Sequence, residues 1–172
     1  GQGTSVWDAE GTEYLDFYGG HCVSLLGHCH PNVVEAVQAQ AETLLFYSNV
    51  AHSPVRATAA RRLVDLAPEG LGQVFFANSG SEANETALKL ARSYTGRSGI
   101  VAMEGGWHGR TLGSLATTHD ASYRAPYQEV LPETTWVPVG DLDAAEAALA
   151  AEDVAAVILE PIQSIAGMRE LP

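Results

Sequence analysis

Val154-Ala155-Ala156-Val157-Ile158-Leu159 is an unbroken apolar run of strand length. A strand that is apolar on both faces must be covered on both, as in a parallel sheet flanked by helices. Shorter runs upstream have the same character: Val74–Ala77, Gly99–Met103 and Thr135–Pro138. Between them the apolar spacing becomes helical, over Ser81–Tyr94, Thr111–Thr117 and the Ala-rich Leu142–Ala151. Strands alternating with helices predict an α/β domain built on a mainly parallel sheet, with helices on both faces.

The first part of the chain has another rhythm. Val6–Phe17 reads as a β-hairpin, two alternating runs around an Asp/Glu/Gly turn. A Gly-rich irregular stretch, Gly19–Pro31, follows. Pro31 opens a predicted helix through Leu45, with Val33, Val34, Val37, Ala41 and Leu44 on one face. A second helix is predicted from Pro54 to Ala67, ended by Pro68-Glu69-Gly70. The change near residue 50 divides the chain into an N-terminal lobe, 1–50, and the sheet domain, 51–172.

Charge narrows the function. The net charge is −12, from 21 acids against 9 bases, and no basic cluster exceeds Arg61-Arg62. Nucleic-acid backbones require clustered Lys and Arg, so that class is set aside. No apolar run approaches the roughly 18 residues of a membrane span. Gly1-Gln2-Gly3-Thr4 has no signal-peptide character, and the lack of Met points to a start that is not native. Two cysteines are too few for a disulfide framework and fit a reducing cytoplasm.

Ligand sites in open α/β sheets form at the carboxyl ends of strands. Three such ends carry unusual residues. Asn78-Ser79-Gly80-Ser81 joins a predicted strand to a helix, where free backbone N–H groups and the helix dipole favour an anion. It lacks the Walker and GxGxxG spacings, so phosphate or carboxylate is expected rather than a nucleotide. The plain structural reading is a Ser N-cap supported by Glu85. Glu104-Gly105-Gly106-Trp107-His108-Gly109-Arg110 offers an aromatic face for a planar ring and a guanidinium for a carboxylate. Against that stands a core Trp and an Arg paired with a surface acid. Glu160-Pro161-Ile162-Gln163 places a carboxylate after an apolar strand, which is costly unless it is paired. His21, Cys22, His28, Cys29 and His30 are soft-metal ligands, but they crowd one segment without paired spacing, so no metal is expected.

Together these segments resemble class III aminotransferases of pyridoxal-phosphate (PLP) fold type I, of the acetylornithine/ornithine kind. Asn78–Glu85 is similar to the family's phosphate cup, Trp107–Thr111 to its aromatic-His-Gly-Arg motif, and Glu160–Gln163 to its EPIQ segment. Leu26-Gly27-His28-Cys29-His30-Pro31 is similar to the segment before its first long helix. The resemblance implies the large PLP-binding domain, incomplete, with an N-terminal lobe. It implies amino-group transfer between an amino acid and a 2-oxo acid, as in arginine biosynthesis, by a cytoplasmic homodimer. Cofactor contacts are implied for Ser79, Gly80, Ser81, Trp107, His108, Glu160 and Gln163. Substrate contacts are implied for Arg110 and His21, with Tyr47 and Asn49 reaching a neighbouring subunit's site.

Two departures matter. Relatives acting on ornithine-like and γ-aminobutyrate substrates usually carry a gating Glu two residues after EPIQ, and here that position is Ile165. Together with Trp107, similar to dialkylglycine decarboxylase, this keeps another class III reaction open, such as decarboxylation-dependent transamination or an aminomutase. The only lysine, Lys89, lies two turns into a helix, roughly 12 Å along its axis from the cup. The chain is therefore expected to be a fragment lacking the Schiff-base lysine, inactive alone, and at the limit a non-catalytic anion-binding fragment. A sheet without its later strands is also expected to expose an apolar edge.

Overall fold

The computed structural model describes residues 1–172. They form two compact units, Gly1–Gly72 and Gln73–Pro172. The division follows the second long helix, whereas the change of rhythm suggested a boundary near residue 50.

The first unit opens with the expected hairpin, β1 (Ser5–Trp7) and β2 (Glu13–Leu15), antiparallel with Val6 opposite Tyr14. Asp8 organises its turn by accepting the N–H groups of Glu10 and Thr12, and the Tyr14 hydroxyl, at 2.8–3.1 Å. Next, α1 (Gly19–Cys22) is a single left-handed turn in which His21 and Cys22 hold φ of 62° and 61°. That is a strained conformation for residues with a Cβ. Asp16 steadies its entry, accepting the Tyr18 and Gly19 N–H groups and pairing with His28 at 2.6 Å.

Proline sits in the first turn of both α2 (Pro31–Thr43) and α3 (Pro54–Leu66), and Ser53 caps the latter by accepting the Arg56 N–H. The α2 stripe of Val33, Val34 and Val37 is exposed, as is Leu44 just past its end. An apolar stripe is buried only where something covers it, and neither helix buries a residue.

In the second unit a three-stranded parallel sheet runs β4-β3-β5, made of β3 (Gly99–Met103), β4 (Thr135–Val137) and β5 (Val154–Ile158). Helices α4 (Gly80–Thr95), α5 (Leu112–Ala116), α6 (Ala121–Arg124) and α7 (Leu142–Leu149) complete it, with a final hairpin of β6 (Ile162–Gln163) and β7 (Arg169–Glu170). The buried apolar core is Leu88, Ile100, Val101, Ala102, Leu115, Ala116 and Val137. The central strand supplies three of these because it alone has a neighbour on each side.

Two strand expectations need correction. Val74–Ala77 is not a strand here, since no other strand lies beside it and a strand exists only by pairing. The Val154–Leu159 run supplies β5, which is half-buried rather than fully buried, because it lies at the sheet edge, and Val157 is 38% exposed. No helix is long and apolar enough to cross a membrane.

Candidate active site

An anion is expected at the first turn of α4 on electrostatic grounds, and the backbone donors such a ligand would need are present there. Ser79 is the N-cap, its hydroxyl accepting the Glu82 N–H at 3.2 Å. The supporting carboxylate is Glu82, not Glu85, and it accepts the Asn78 N–H at 2.6 Å. The N–H groups of Gly80 and Ser81 have no acceptor in the protein. They lie at the positive end of a 16-residue helix. The Arg110 N–H donates to Ser81 Oγ at 3.3 Å. Since that N–H can only donate, the Ser81 hydroxyl proton is left for another acceptor.

The same hydrogen bond brings in the loop after β3. Gly109, at φ 131°, passes so close to α4 that an added Cβ would lie 2.9 Å from Ser81 Cβ and 3.0 Å from Ser114 Cβ. Buried Thr118 accepts the N–H groups of His108 and Gly109 at 2.9 and 3.2 Å. Asn84 donates to the His108 carbonyl at 2.7 Å. The Trp107 N–H donates to Glu160 Oε1 at 2.5 Å, which gives one oxygen of the carboxylate after β5 a partner and ties the second loop to the third.

The half-buried Trp107 indole meets Tyr123 edge-on, with centroids 4.9 Å apart. The Arg110 guanidinium lies 5.4 Å from the Trp107 ring and 5.1 Å from Tyr123, within cation–π range. Arg110 is exposed and forms no ion pair, so the reading of it as a surface salt-bridge partner is not realised. Its charge remains available to a carboxylate.

Two buried polar atoms beside this loop lack partners, His108 Nε2 and Gln163 Oε1. Burial holds the His108 pKa below its ordinary value against the opposing pull of Glu160, so the imidazole is neutral near pH 7. Gln163 is fully buried, and its Nε2 donates to the Glu104 carbonyl at 2.8 Å. Unsatisfied buried polar atoms are rare and call for a partner. Free first-turn N–H groups, a spare hydroxyl proton, an indole face and two orphaned polar atoms fit a flat ligand with an anionic tail.

Ser79, Gly80, Ser81, Trp107, His108, Arg110, Glu160 and Gln163 thus lie within the second unit, joined by the bonds just described. His21, Tyr47 and Asn49 lie in the first unit, all exposed, with His21 Nδ1 2.5 Å from the Tyr18 hydroxyl. Of the soft-metal candidates, His28 is engaged by Asp16, and Cys22 and Cys29 are free and exposed. Lys89 is exposed on α4. A cleft of about 1000 Å³ opens at Gly99, Thr135 and Val154, the amino ends of the strands, and is not part of this site. Sequence reasoning missed Asn84, Thr118 and Tyr123, and misread Glu85; the spacing Ser81, Asn84, Glu85, Leu88 was the available signal, one stripe of a helix.

The family model described as aminotransferase class-III matches residues 1–172. Acetylornithine aminotransferase of Methanopyrus kandleri is 49% identical over 172 residues, covering 100% of this chain and 44% of that protein. Ornithine aminotransferase from Toxoplasma gondii, a structure with partial occupancy of PLP at its active site, superposes with a TM-score of 0.90 at 30% identity. It is matched over 100% of this chain and 42% of its own. Adenosylmethionine-8-amino-7-oxononanoate aminotransferase from Methanocaldococcus jannaschii gives 0.95 at 27% identity, with the same coverage. The chain therefore spans less than half the length of the relatives it matches. It belongs to the class III aminotransferases.

Proposed function

We propose that the protein carrying this chain transfers an amino group between an amino acid and a 2-oxo acid with pyridoxal 5'-phosphate, in the manner of acetylornithine aminotransferase. The observation that carries the reading is the Ser81 hydroxyl. It accepts the Arg110 N–H and keeps its own proton, so one side chain joins an anion site to a loop bearing a free guanidinium.

In this reading the N–H groups of Gly80 and Ser81, with the Ser79 and Ser81 hydroxyls, hold the phosphate. Trp107 covers the ring, while His108, Glu160 and Gln163 fix the loops around it. Bound there, the cofactor supplies an electron sink for the carbon bearing the amino group. Arg110 binds the substrate carboxylate and so orients that carbon, a gain in positioning rather than in bond making. Neutral His108 adds no charge to compete for the carboxylate. His21 shapes the substrate pocket, and Tyr47 and Asn49 act at a neighbouring subunit's site in a homodimer. Lys89 has no role as the cofactor-bearing lysine. Two free cysteines and an acidic composition agree with a cytoplasmic setting.

Cofactor titration of the full-length protein tests the cup. A Cβ at Gly80 would meet nothing within 4 Å, so Gly80→Asp adds a competing charge with room for its first side-chain atom. It is expected to weaken PLP binding by at least about tenfold through like-charge repulsion. Equal affinity in both proteins would remove the cup from the proposal. A second reading, another class III reaction such as decarboxylation-dependent transamination, is favoured by Trp107 and by Ile165 in place of a gating Glu. Product analysis with a 2,2-dialkylglycine against N-acetylornithine separates the two.

A further inference from the structure

Glu85 lies on the α4 stripe that faces the Arg110 loop, yet the chemistry proposed above does not use it. Its Oε1 accepts the N–H groups of Gly113 and Ser114 at 2.7 and 3.1 Å. Those are first-turn donors of α5, whose own N-cap, Thr111, makes no side-chain capping bond. Glu85 therefore caps α5 from a different helix. The helix it caps has five residues, too few to hold itself in place. A Cβ at Gly113 would lie 3.1 Å from Glu85 Cδ, so the glycine makes room for the carboxylate. Burial pushes the Glu85 pKa up, but hydrogen bonds from Thr111, Ser114 and Gly113, and the charge of Lys89, outweigh it and hold the carboxyl below its usual range.

Arg110 sits between anchors on α4. Asn84 holds the His108 carbonyl and Ser81 the Arg110 N–H, and on the far side Glu85 holds the backbone three and four residues further on. Anchors on the near side alone leave the chain free to pivot beyond them; anchors on both sides fix the direction in which a side chain leaves the backbone. We propose that Glu85 is a positioning residue for Arg110, capping α5 from α4 so that the guanidinium meets the substrate carboxylate in a fixed orientation. This rests on the reading of Arg110 as the carboxylate-binding group.

The test uses the full-length holoenzyme with Glu85→Gln, Arg110→Ala and the double variant. Glu85→Gln keeps the shape and an acceptor oxygen but loses the charge-assisted bonds. It is expected to raise KM for the carboxylate substrate by about tenfold with kcat within about twofold, the signature of lost ground-state and transition-state binding alike. Succinate binding, followed by calorimetry, is expected to weaken in parallel, while PLP affinity stays unchanged. On the Arg110→Ala background Glu85→Gln is expected to change KM no further, as shared action requires. Unchanged KM and succinate affinity in Glu85→Gln, with both impaired in Arg110→Ala, would overturn the role of Glu85 and leave that of Arg110 standing. Loss of PLP affinity in Glu85→Gln would also overturn it, since the effect would then be on the cup. Should Arg110→Ala leave both quantities unchanged, the underlying reading fails and the proposal with it.

Discussion

Thr118 shows how one buried hydroxyl can decide a site it never faces. Its Oγ1 accepts the N–H groups of His108 and Gly109 and lies 3.1 Å from the Gly109 and Ser114 carbonyls. Valine has the same shape without the oxygen, so Thr118→Val leaves two buried donors unsatisfied. Each such group costs about 1–3 kcal/mol, so a clear fall in Tm is expected, read by thermal unfolding of the full-length protein. Thr118→Ser keeps the oxygen and loses one methyl, worth about 1 kcal/mol. Its Tm should stay nearer the parent. If the two variants unfolded at the same temperature, the hydroxyl would not be what holds the Trp107–Gly109 turn. A threonine two residues past a helix end gave no sign of this in the sequence, because its partners are set by how the loop folds back.

At the scale of elements, α4 organises the site through one face. Ser81, Asn84 and Glu85 bond the 108–114 segment while Leu88 enters the core. The Glu85 cap also makes α5 sensitive to acid. A carboxyl whose folded pKa is depressed contributes stability that is fully present above its unfolded pKa and is lost as pH falls through the folded one. The 110–114 backbone is therefore expected to keep its amide protection down to pH values below the ordinary carboxylate range and to lose it beneath. Hydrogen exchange of Gly113 and Ser114 reads this, and in Glu85→Gln protection should be lower at neutral pH and lack that acid step; an unaltered step would assign it to other carboxylates. The α4 helix and the sheet strands Gly99–Met103 and Thr135–Val137 were legible because their apolar spacing and end signals are local. The free donors of the Gly80–Ser81 turn were legible for the same reason, since a helix start after a Ser cap leaves its first N–H groups free whatever surrounds it. Val74–Ala77 was not, because pairing is a property of a neighbour that apolar residues alone do not supply. Glu85 was misread for a related reason: six residues from the Ser79 cap it looks local, while its actual partners lie 28 and 29 residues on.

For the whole chain the surface itself carries a prediction. Its accessible area is 12718 Å² for 18.2 kDa. A compact monomer of that mass exposes about 8,100 Å², and two separate units of half the mass about 9,800 Å² together. The excess is apolar in part: Phe17 is 92% exposed and Phe46 81%, and the first unit buries no residue fully. Apolar area on this scale is not left in water by a stable monomer. The β4 and β5 edges of the parallel sheet add unpaired backbone groups that invite further strands. Expressed as these 172 residues alone, the chain should bind a hydrophobic dye, elute above its monomer mass in size-exclusion chromatography, and unfold without a sharp transition. The full-length protein, in the same buffer, should bind little dye and unfold cooperatively. A monomeric 172-residue chain with a single steep transition would mean that the exposed faces of α2 and α3 need no cover, and that the first unit is stabilised by something other than apolar burial.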